Sequence, residues 1–175
     1  MLFKRLTSDK DLEFTKAFDL YAIAFPVHEQ RGLAHQRAAF AAPDYHFDVI
    51  EDDGQFVGIL LYWDTPQYLY VEHFAIDARL RGKQYGSRAL AQLCSQGKPV
   101  ILEIDPPVDD VAIKRQHFYE KLGFVANPYP HVHPPYKDGL PGHSLVVMSY
   151  PAAIDKALYD AFLRHLTDTV MGEYR

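Results

Sequence analysis

The stretch Tyr70-Val71-Glu72-His73-Phe74-Ala75-Ile76-Asp77, then Ala78-Arg79-Leu80, then Arg81-Gly82-Lys83-Gln84-Tyr85-Gly86-Ser87 decides how this chain is read. An apolar run rich in aromatic and β-branched residues ends in a short basic turn that carries two glycines. A helical pattern follows, with Ala89, Leu90, Leu93 and Cys94 on one side. A strand–turn–helix junction aims several backbone N–H groups at one point, and the helix dipole adds positive potential there. Arg79, Arg81 and Lys83 strengthen it. The guest that fits is a phosphate or pyrophosphate. Two glycines at such a junction also make an ordinary turn, so the reading depends on the surroundings.

Upstream, residues 1–6 suggest an edge strand, and Ser8 offers an N-cap. Phe14, Ala17, Phe18, Tyr21, Ala22 and Phe25 then trace one helical face that Pro26 ends. Residues 28–42 favour a second helix. Residues 45–51, 55–63 and 67–77 read as three strands of an antiparallel meander, with Asp52-Asp53-Gly54 as a hairpin turn. Downstream, residues 100–105 form a nearly all-apolar strand, as a buried central position requires. Asp109 caps a helix to about Leu122, with Gly123 as its stop. Residues 124–126 start another strand and a Pro-rich loop follows. Residues 143–150 are the last strand, and Pro151 opens a final helix. The order predicts one α/β domain over residues 1–175, a central mixed antiparallel and parallel sheet flanked by helices.

Composition narrows the class. The chain has 175 residues, 48% hydrophobic, with 12 Tyr, 11 Phe and 1 Trp, enough for a full core and too many for disorder. No apolar stretch is long enough for a membrane span, and Met1-Leu2-Phe3-Lys4-Arg5 lacks a signal-peptide core. One cysteine, Cys94, excludes an internal disulfide and a Cys-rich zinc site. An intracellular, cytoplasmic protein is the expectation. The net charge of −5 argues against a nucleic-acid partner and suits a cationic or neutral small molecule.

The Arg81–Ser87 segment resembles motif A of the GNAT (GCN5-related) N-acetyltransferase family, Gln/Arg-x-x-Gly-x-Gly/Ala. Arg81 and Gly86 match its first and last positions, and Gln84 stands where the middle Gly usually sits. Phe118-Tyr119-Glu120-Lys121-Leu122-Gly123-Phe124 resembles the family's Tyr-x-x-x-Gly-Phe signature. The two matches cover roughly residues 67–126, and the element order extends the resemblance over nearly the whole chain.

The resemblance implies the GNAT acyl-CoA N-acyltransferase fold and transfer of an acetyl group from acetyl-CoA to a primary amine by direct attack. Cofactor contacts fall on Arg81, Gly82, Lys83, Gln84, Tyr85, Gly86 and Ser87 for the pyrophosphate. Backbone groups at Phe74, Ala75 and Ile76 would pair with pantetheine, much as a peptide adds to a sheet. The family's Asn seven residues before the Tyr is replaced by Ala112, while Lys114 and Arg115 lie close by and offer charge for the CoA phosphates. Tyr119 takes the place of the family's acid for the departing thiolate. Glu72 is the leading base, because strand alternation puts it on one face with Tyr70, Phe74 and Ile76. His73 would then face the core. Glu103 and Asp105 on the next strand are alternatives that also attract a cationic amine. Glu29, Arg31, Glu103 and Tyr136 are the acceptor contacts. His131-x-His133 is a weak metal pattern and no metal is expected.

Two other readings stay open at this level: a catalytically silent acyl-CoA-binding regulator on the same scaffold, and a nucleotide-binding module using the same turn. The final helix carries Ile154, Ala157, Leu158, Ala161, Phe162 and His165 on one side and Tyr159, Leu163, Leu166 and Val170 on another. So wide an apolar arc suggests a homodimer contact.

Overall fold

The alternating residues between positions 45 and 76 become three antiparallel strands, β2 (Tyr45–Asp52), β3 (Gln55–Asp64) and β4 (Leu69–Ile76), with β1 (Leu2–Leu6) added at the edge of β2. The computed structural model describes residues 1–137 and 139–172. Chain contacts divide it into two units, Met1–Val100 and Ile101–Arg175. No linker-like composition marks this division, which is why the sequence suggested a single body.

In the first unit the strand order is β1-β2-β3-β4. β3 is buried from Val57 to Trp63, as a strand covered on both faces must be. Helix α1 (Phe14–Ala24) packs on β3 and β4 through Phe14, Ala17 and Tyr21. Ala22, expected on this face, is exposed. Helix α3 (Tyr85–Cys94) lies against β4 and buries Ala89, Leu90, Leu93 and Cys94 as its pattern predicts. Burial pushes the Cys94 thiol up to about 11, so it is an inert core residue. Each fully buried large side chain here, Phe47, Ile59 or Leu60 among them, contributes about 1.5–3 kcal/mol.

Local starts and stops differ from the sequence expectation in three places. Ser8 does not cap α1: Asp11 accepts from the Thr7 and Ser8 N–H groups at 2.6 and 3.0 Å, and α1 begins only at Phe14. The helix expected over 28–42 shrinks to a 3₁₀ turn, Val27–Glu29, and α2 (Leu33–Ala39). The final helix, α5 (Lys156–His165), opens not at Pro151 but at Asp155, whose carboxylate accepts from the Leu158 N–H at 2.8 Å.

The second unit holds β5 (Val100–Ile104), which begins at the last residue of the first, α4 (Asp110–Lys121), β6 (Val125–Ala126), β7 (His131–His133) and β8 (His143–Tyr150). The strand order is β5-β8-β6, and β7, which the sequence reads as loop, pairs with β8. Buried Asn127 joins three segments: Nδ2 donates to Val147 O at 3.1 Å and Ser149 Oγ at 2.9 Å, and Oδ1 accepts from Ile154 N at 2.9 Å. Tyr159, Phe162, Leu166 and Val170 are all buried. Ala157 is exposed and Leu158, Ala161 and Leu163 are half-buried, so part of each expected arc is still uncovered.

β3 can approach β4 closely only because position 58 lacks a side chain. A Cβ on Gly58 would lie 2.3 Å from the Ala75 carbonyl oxygen, a backbone atom of β4. Gly58→Ala should cost about 1–3 kcal/mol, read as a lower urea midpoint with unchanged slope. An unchanged midpoint would mean that the two strands are not held at this spacing.

Candidate active site

The basic turn starts from Asp77. Its N–H donates to Val57 O at 2.9 Å, at the bulge where β2 and β3 shift register. Its carboxylate caps the 3₁₀ turn Ala78–Leu80, accepting from Arg79 Nη2 at 2.6 Å and from Arg79 Nε and N–H at 3.0 Å each. The Arg79 side chain, then its N–H, hold the Asp77 carboxyl down at about 2. A depressed folded value means this support is full above the ordinary carboxylate range and is lost as pH falls toward 2.

Arg79 is therefore engaged by Asp77, unlike the expectation of three open cations. Arg81 and Lys83 are exposed and make no ion pair among the described residues. Gly82 has φ +78° and Gln84 φ +62°, so two residues of the turn are left-handed. Ser87 Oγ and the Arg88 N–H donate to Gln84 O at 2.9 and 3.0 Å and start α3. The N–H groups of Tyr85, Gly86 and Ser87 precede that first helical bond and have no partner within the helix. Arg88 is fixed by a two-point pair to Asp52, at 2.9 and 3.1 Å, and lies over the Tyr85 ring. The left-handed backbone explains why a glycine is the natural residue at position 84 and why a side chain there is still tolerated: Gln84 is exposed.

On β4 the expected alternation breaks. His73 pairs with Leu61 and Val71 with Tyr62, so Glu72 is the extra residue of a β-bulge. Its side chain is 1% exposed and accepts from Arg31 Nη2 at 2.8 Å and Trp63 Nε1 at 2.9 Å. The Arg31 guanidinium lies over the Tyr45 and Trp63 rings, and the Arg31 N–H donates to the Tyr21 hydroxyl at 2.7 Å. This corrects two expected roles. Glu72 is not poised as a base and Arg31 is not an open acceptor contact: each neutralises the other in the interior. His73 is core-side, as expected, donating from Nε2 to Glu29 O at 2.9 Å between the Tyr21 and Phe25 rings. The Glu29 side chain stays half-buried beside His28. Phe74 and Ile76 are half-buried and Ala75 is buried at the end of β4.

In the second unit the Tyr-x-x-x-Gly-Phe spacing has a backbone cause. Asp109 caps α4 as expected, accepting from the Val111 and Ala112 N–H groups. At the other end Phe124 N donates to Tyr119 O at 3.1 Å and Gly123 N to Glu120 O at 3.0 Å, with Gly123 at φ +91°. That is a Schellman stop, and the Tyr119–Phe124 ring contact is its apolar clasp. Tyr119 is half-buried, and burial pushes its hydroxyl up to about 12, so it is a phenol at neutral pH. Arg115, expected near CoA phosphates, pairs with Asp105 at 2.7 Å, and His143 faces the other oxygen of Asp105 at 3.3 Å. The Arg115–Asp105 pair is half-exposed and weak, so it leaves Arg115 movable.

Glu103 is 7% exposed and accepts from His131 Nε2 in a close hydrogen bond. His133 Nε2 stands 3.9 Å from its other oxygen, and Tyr136 stacks on the His133 ring. Sequence reasoning noticed the two histidines but lacked the carboxylate. The signal was there in the strand period: His131 and His133 share a face of one strand, and Glu103 and Asp105 share a face of another. Trp63, the chain's single tryptophan, gave no such signal.

The model of the Acetyltransferase (GNAT) family matches residues 14–124. A Bacteroides thetaiotaomicron structure described as a GNAT-family acetyltransferase is 31% identical, covers 98% of this chain and 99% of its own, and superposes with a TM-score of 0.91. The structure of an aminoglycoside 6'-N-acetyltransferase complexed with coenzyme A shares the fold at 16% identity, with 85% of this chain and 96% of that one covered and a TM-score of 0.57. A Bacillus subtilis protein named as an acetyltransferase, YjbC, is 28% identical over 104 residues, 57% of this chain and about half (52%) of that protein's length. The mixed parallel and antiparallel sheet flanked by helices is thereby the fold of this chain.

Two outcomes follow from the geometry. Gln84→Gly removes a left-handed side-chain residue costing about 1–2 kcal/mol and adds about 0.5–1 kcal/mol of chain entropy loss, so thermal unfolding should stay level or rise. A clear fall would show that the Gln84 side chain, not the backbone, makes the turn. Glu72→Gln leaves the Arg31 charge uncompensated in the interior and should cost about 3–5 kcal/mol in denaturant unfolding. A loss under about 1 kcal/mol, the range of exposed pairs, would contradict the buried pair.

Proposed function

This chain belongs to the GNAT acetyltransferase family, and from that premise we propose that residues 1–175 act as one N-acetyltransferase domain that moves an acetyl group from acetyl-CoA to the primary amine of a small molecule. The observation that carries the donor half is the turn after β4. Its Arg81 and Lys83, without ion pairs among the described residues, its left-handed residues and the N–H groups at the start of α3 without helical partners fit a pyrophosphate. The coenzyme A complex of a structural relative supports this choice of donor. Acetyl-CoA supplies an activated thioester; the chain binds it, holds it and manages protons.

Phe74, Ala75 and Ile76 offer backbone groups for pantetheine immediately before the phosphate turn. Tyr119 donates a hydrogen bond to the departing sulfur, and its raised value keeps the proton on the phenol until needed. Holding thioester and amine together provides much of the rate. The acceptor is read as a cationic amine from the carboxylates of Glu103 on β5 and Asp105 just after it, and from the net charge of −5. Among the described residues no helix is long and apolar enough to cross a membrane, and an acetyl-CoA-dependent enzyme is expected in the cytoplasm.

Thiol release from acetyl-CoA with a panel of amines tests this. Small primary amines should release thiol, and Tyr119→Phe should slow turnover by about 10–10³-fold with CoA affinity kept. Binding of CoA without transfer to any amine, or acetylation of neutral and anionic acceptors alone, would overturn it.

A further inference from the structure

Within the second unit, Glu103 on β5 and His131 and His133 on β7 form a cluster whose hydrogens can be assigned one by one. The Tyr159 hydroxyl donates its single hydrogen to Pro130 O at 3.1 Å. His131 Nδ1 lies 3.0 Å from that hydroxyl oxygen, so Nδ1 is the donor there and carries a hydrogen. A hydrogen on His131 Nε2, toward Glu103 Oε1, is then an extra proton. His133 repeats the pattern. Its Nδ1 lies 2.6 Å from Pro134 O, which only accepts, so Nδ1 carries the hydrogen and Nε2 the lone pair. That Nε2 is buried, makes no hydrogen bond among the described residues and stands 3.9 Å from Glu103 Oε2. Side-chain exposures are 0% for His131, 6% for His133 and 7% for Glu103, so the cluster is closed to bulk water.

Two ring nitrogens thus aim at the two oxygens of one buried carboxylate. Acceptor facing acceptor needs a positive charge between them. A proton shared by His131 and Glu103 supplies it on one side and leaves the His133 side without any. We propose that Glu103, His131 and His133 bind one divalent cation of the zinc type, which takes the place of that proton and fastens β7 to β5. Two imidazole nitrogens and a carboxylate suit zinc, whereas calcium and magnesium take oxygen ligands in larger number. With both Glu103 oxygens, the three residues offer four donor atoms, the number of a closed structural site. The outer shell is also that of a metal-binding histidine pair: each Nδ1–H is held by an oxygen, and each ring lies against an aromatic one, His131 on Phe162 and His133 on Tyr136.

Little has to move. Donor atoms about 2.0–2.1 Å from a tetrahedral ion stand about 3.3 Å apart, so His133 Nε2 closes on Glu103 by about half an ångström. His131 draws back as the shared proton leaves. The charge balance is one cation in and that proton out to solvent. Entry is by the short edge: β7 is three residues long, pairs with β8 and exposes Val132 between the two histidines, so local opening there is easy.

The inference is independent of the acetyltransferase reading, and its test uses no activity. The whole chain, stripped with a chelator, is titrated with Zn²⁺ alone in a calorimeter. One equivalent should bind, with one proton released, read from the change of heat among buffers of different ionisation enthalpy. Affinity should fall in His133→Gln by at least the about 10–100-fold that disturbing a ligand's outer partner costs. His117→Gln, at an exposed histidine of α4, should bind as the parent does. No heat beyond dilution in the parent, or equal affinity in His133→Gln, overturns the proposal; equal affinity would place the ion on surface groups. Nitrogen-15 NMR of the parent does not depend on how the variant folds. Zn²⁺ should shift Nε2 of His131 and His133 and leave both Nδ1–H groups in place, and a shift at neither Nε2 overturns the site.

Discussion

A carboxylate and a guanidinium, each almost without solvent, meet where β4 bulges, and the first unit is arranged around that meeting. Burying either charge alone is prohibitive; burying both is tolerable because Glu72 also receives the Trp63 N–H and Arg31 lies on two aromatic rings. The pair ties the segment between α1 and α2 to the middle of β4, and the Arg31 N–H to the Tyr21 hydroxyl draws α1 in as well. The bulge that hosts Glu72 also resets the strand, so the backbone of Phe74, Ala75 and Ile76 reaches Asp77 in the register that Gly58 permits. Glu72, expected as a catalytic base, is an anchor that gives β4 its shape.

Backbone conformations, more than side chains, explain the two family signatures. At Gln84 the chain turns left-handed so that α3 can begin with its N–H groups open. At Gly123 it turns left-handed so that α4 can end, and the same stop presses Phe124 against Tyr119 and fixes where the phenol sits. One turn starts a helix with its first N–H groups open, and the other ends a helix and holds Tyr119 against Phe124. The spacing in each motif is the spacing that these turns need, which is why Gln in place of Gly changes the strain at position 84 without changing the path.

The sequence showed what depends on period and punctuation. The meander over 45–76, the buried strand at 100–104, the Asp109 cap and the Gly123 stop were readable from alternation and turn chemistry. It did not show what depends on a one-residue slip. A bulge leaves no mark in composition, so Glu72 seemed to share a face with Tyr70 and Phe74. Nor could it show pairing between residues far apart in the chain, such as Arg31 with Glu72, 41 positions away, or His131 with Glu103, 28 away. The three residues of β7 are too few for a period to emerge, so two histidines that share a carboxylate looked like loop.

The same long-range pairing shapes the charge that a chain of net charge −5 offers to a phosphate ligand of the kind proposed. Arg31 answers Glu72, Arg79 answers Asp77, Arg88 answers Asp52, and Arg115 answers Asp105. Arg81 and Lys83 are among the cations left without an ion pair among the described residues, and they stand beside N–H groups that the start of α3 leaves without a helical partner. Over a distance longer than about 8 Å salt screens the remaining acidic surface, so a bound phosphate feels these few near groups and not the net charge. Binding there should accordingly weaken when Arg81 and Lys83 are lost, far more than the overall charge of the chain suggests, because Arg79 and Arg88 of the same stretch are already balanced by Asp77 and Asp52.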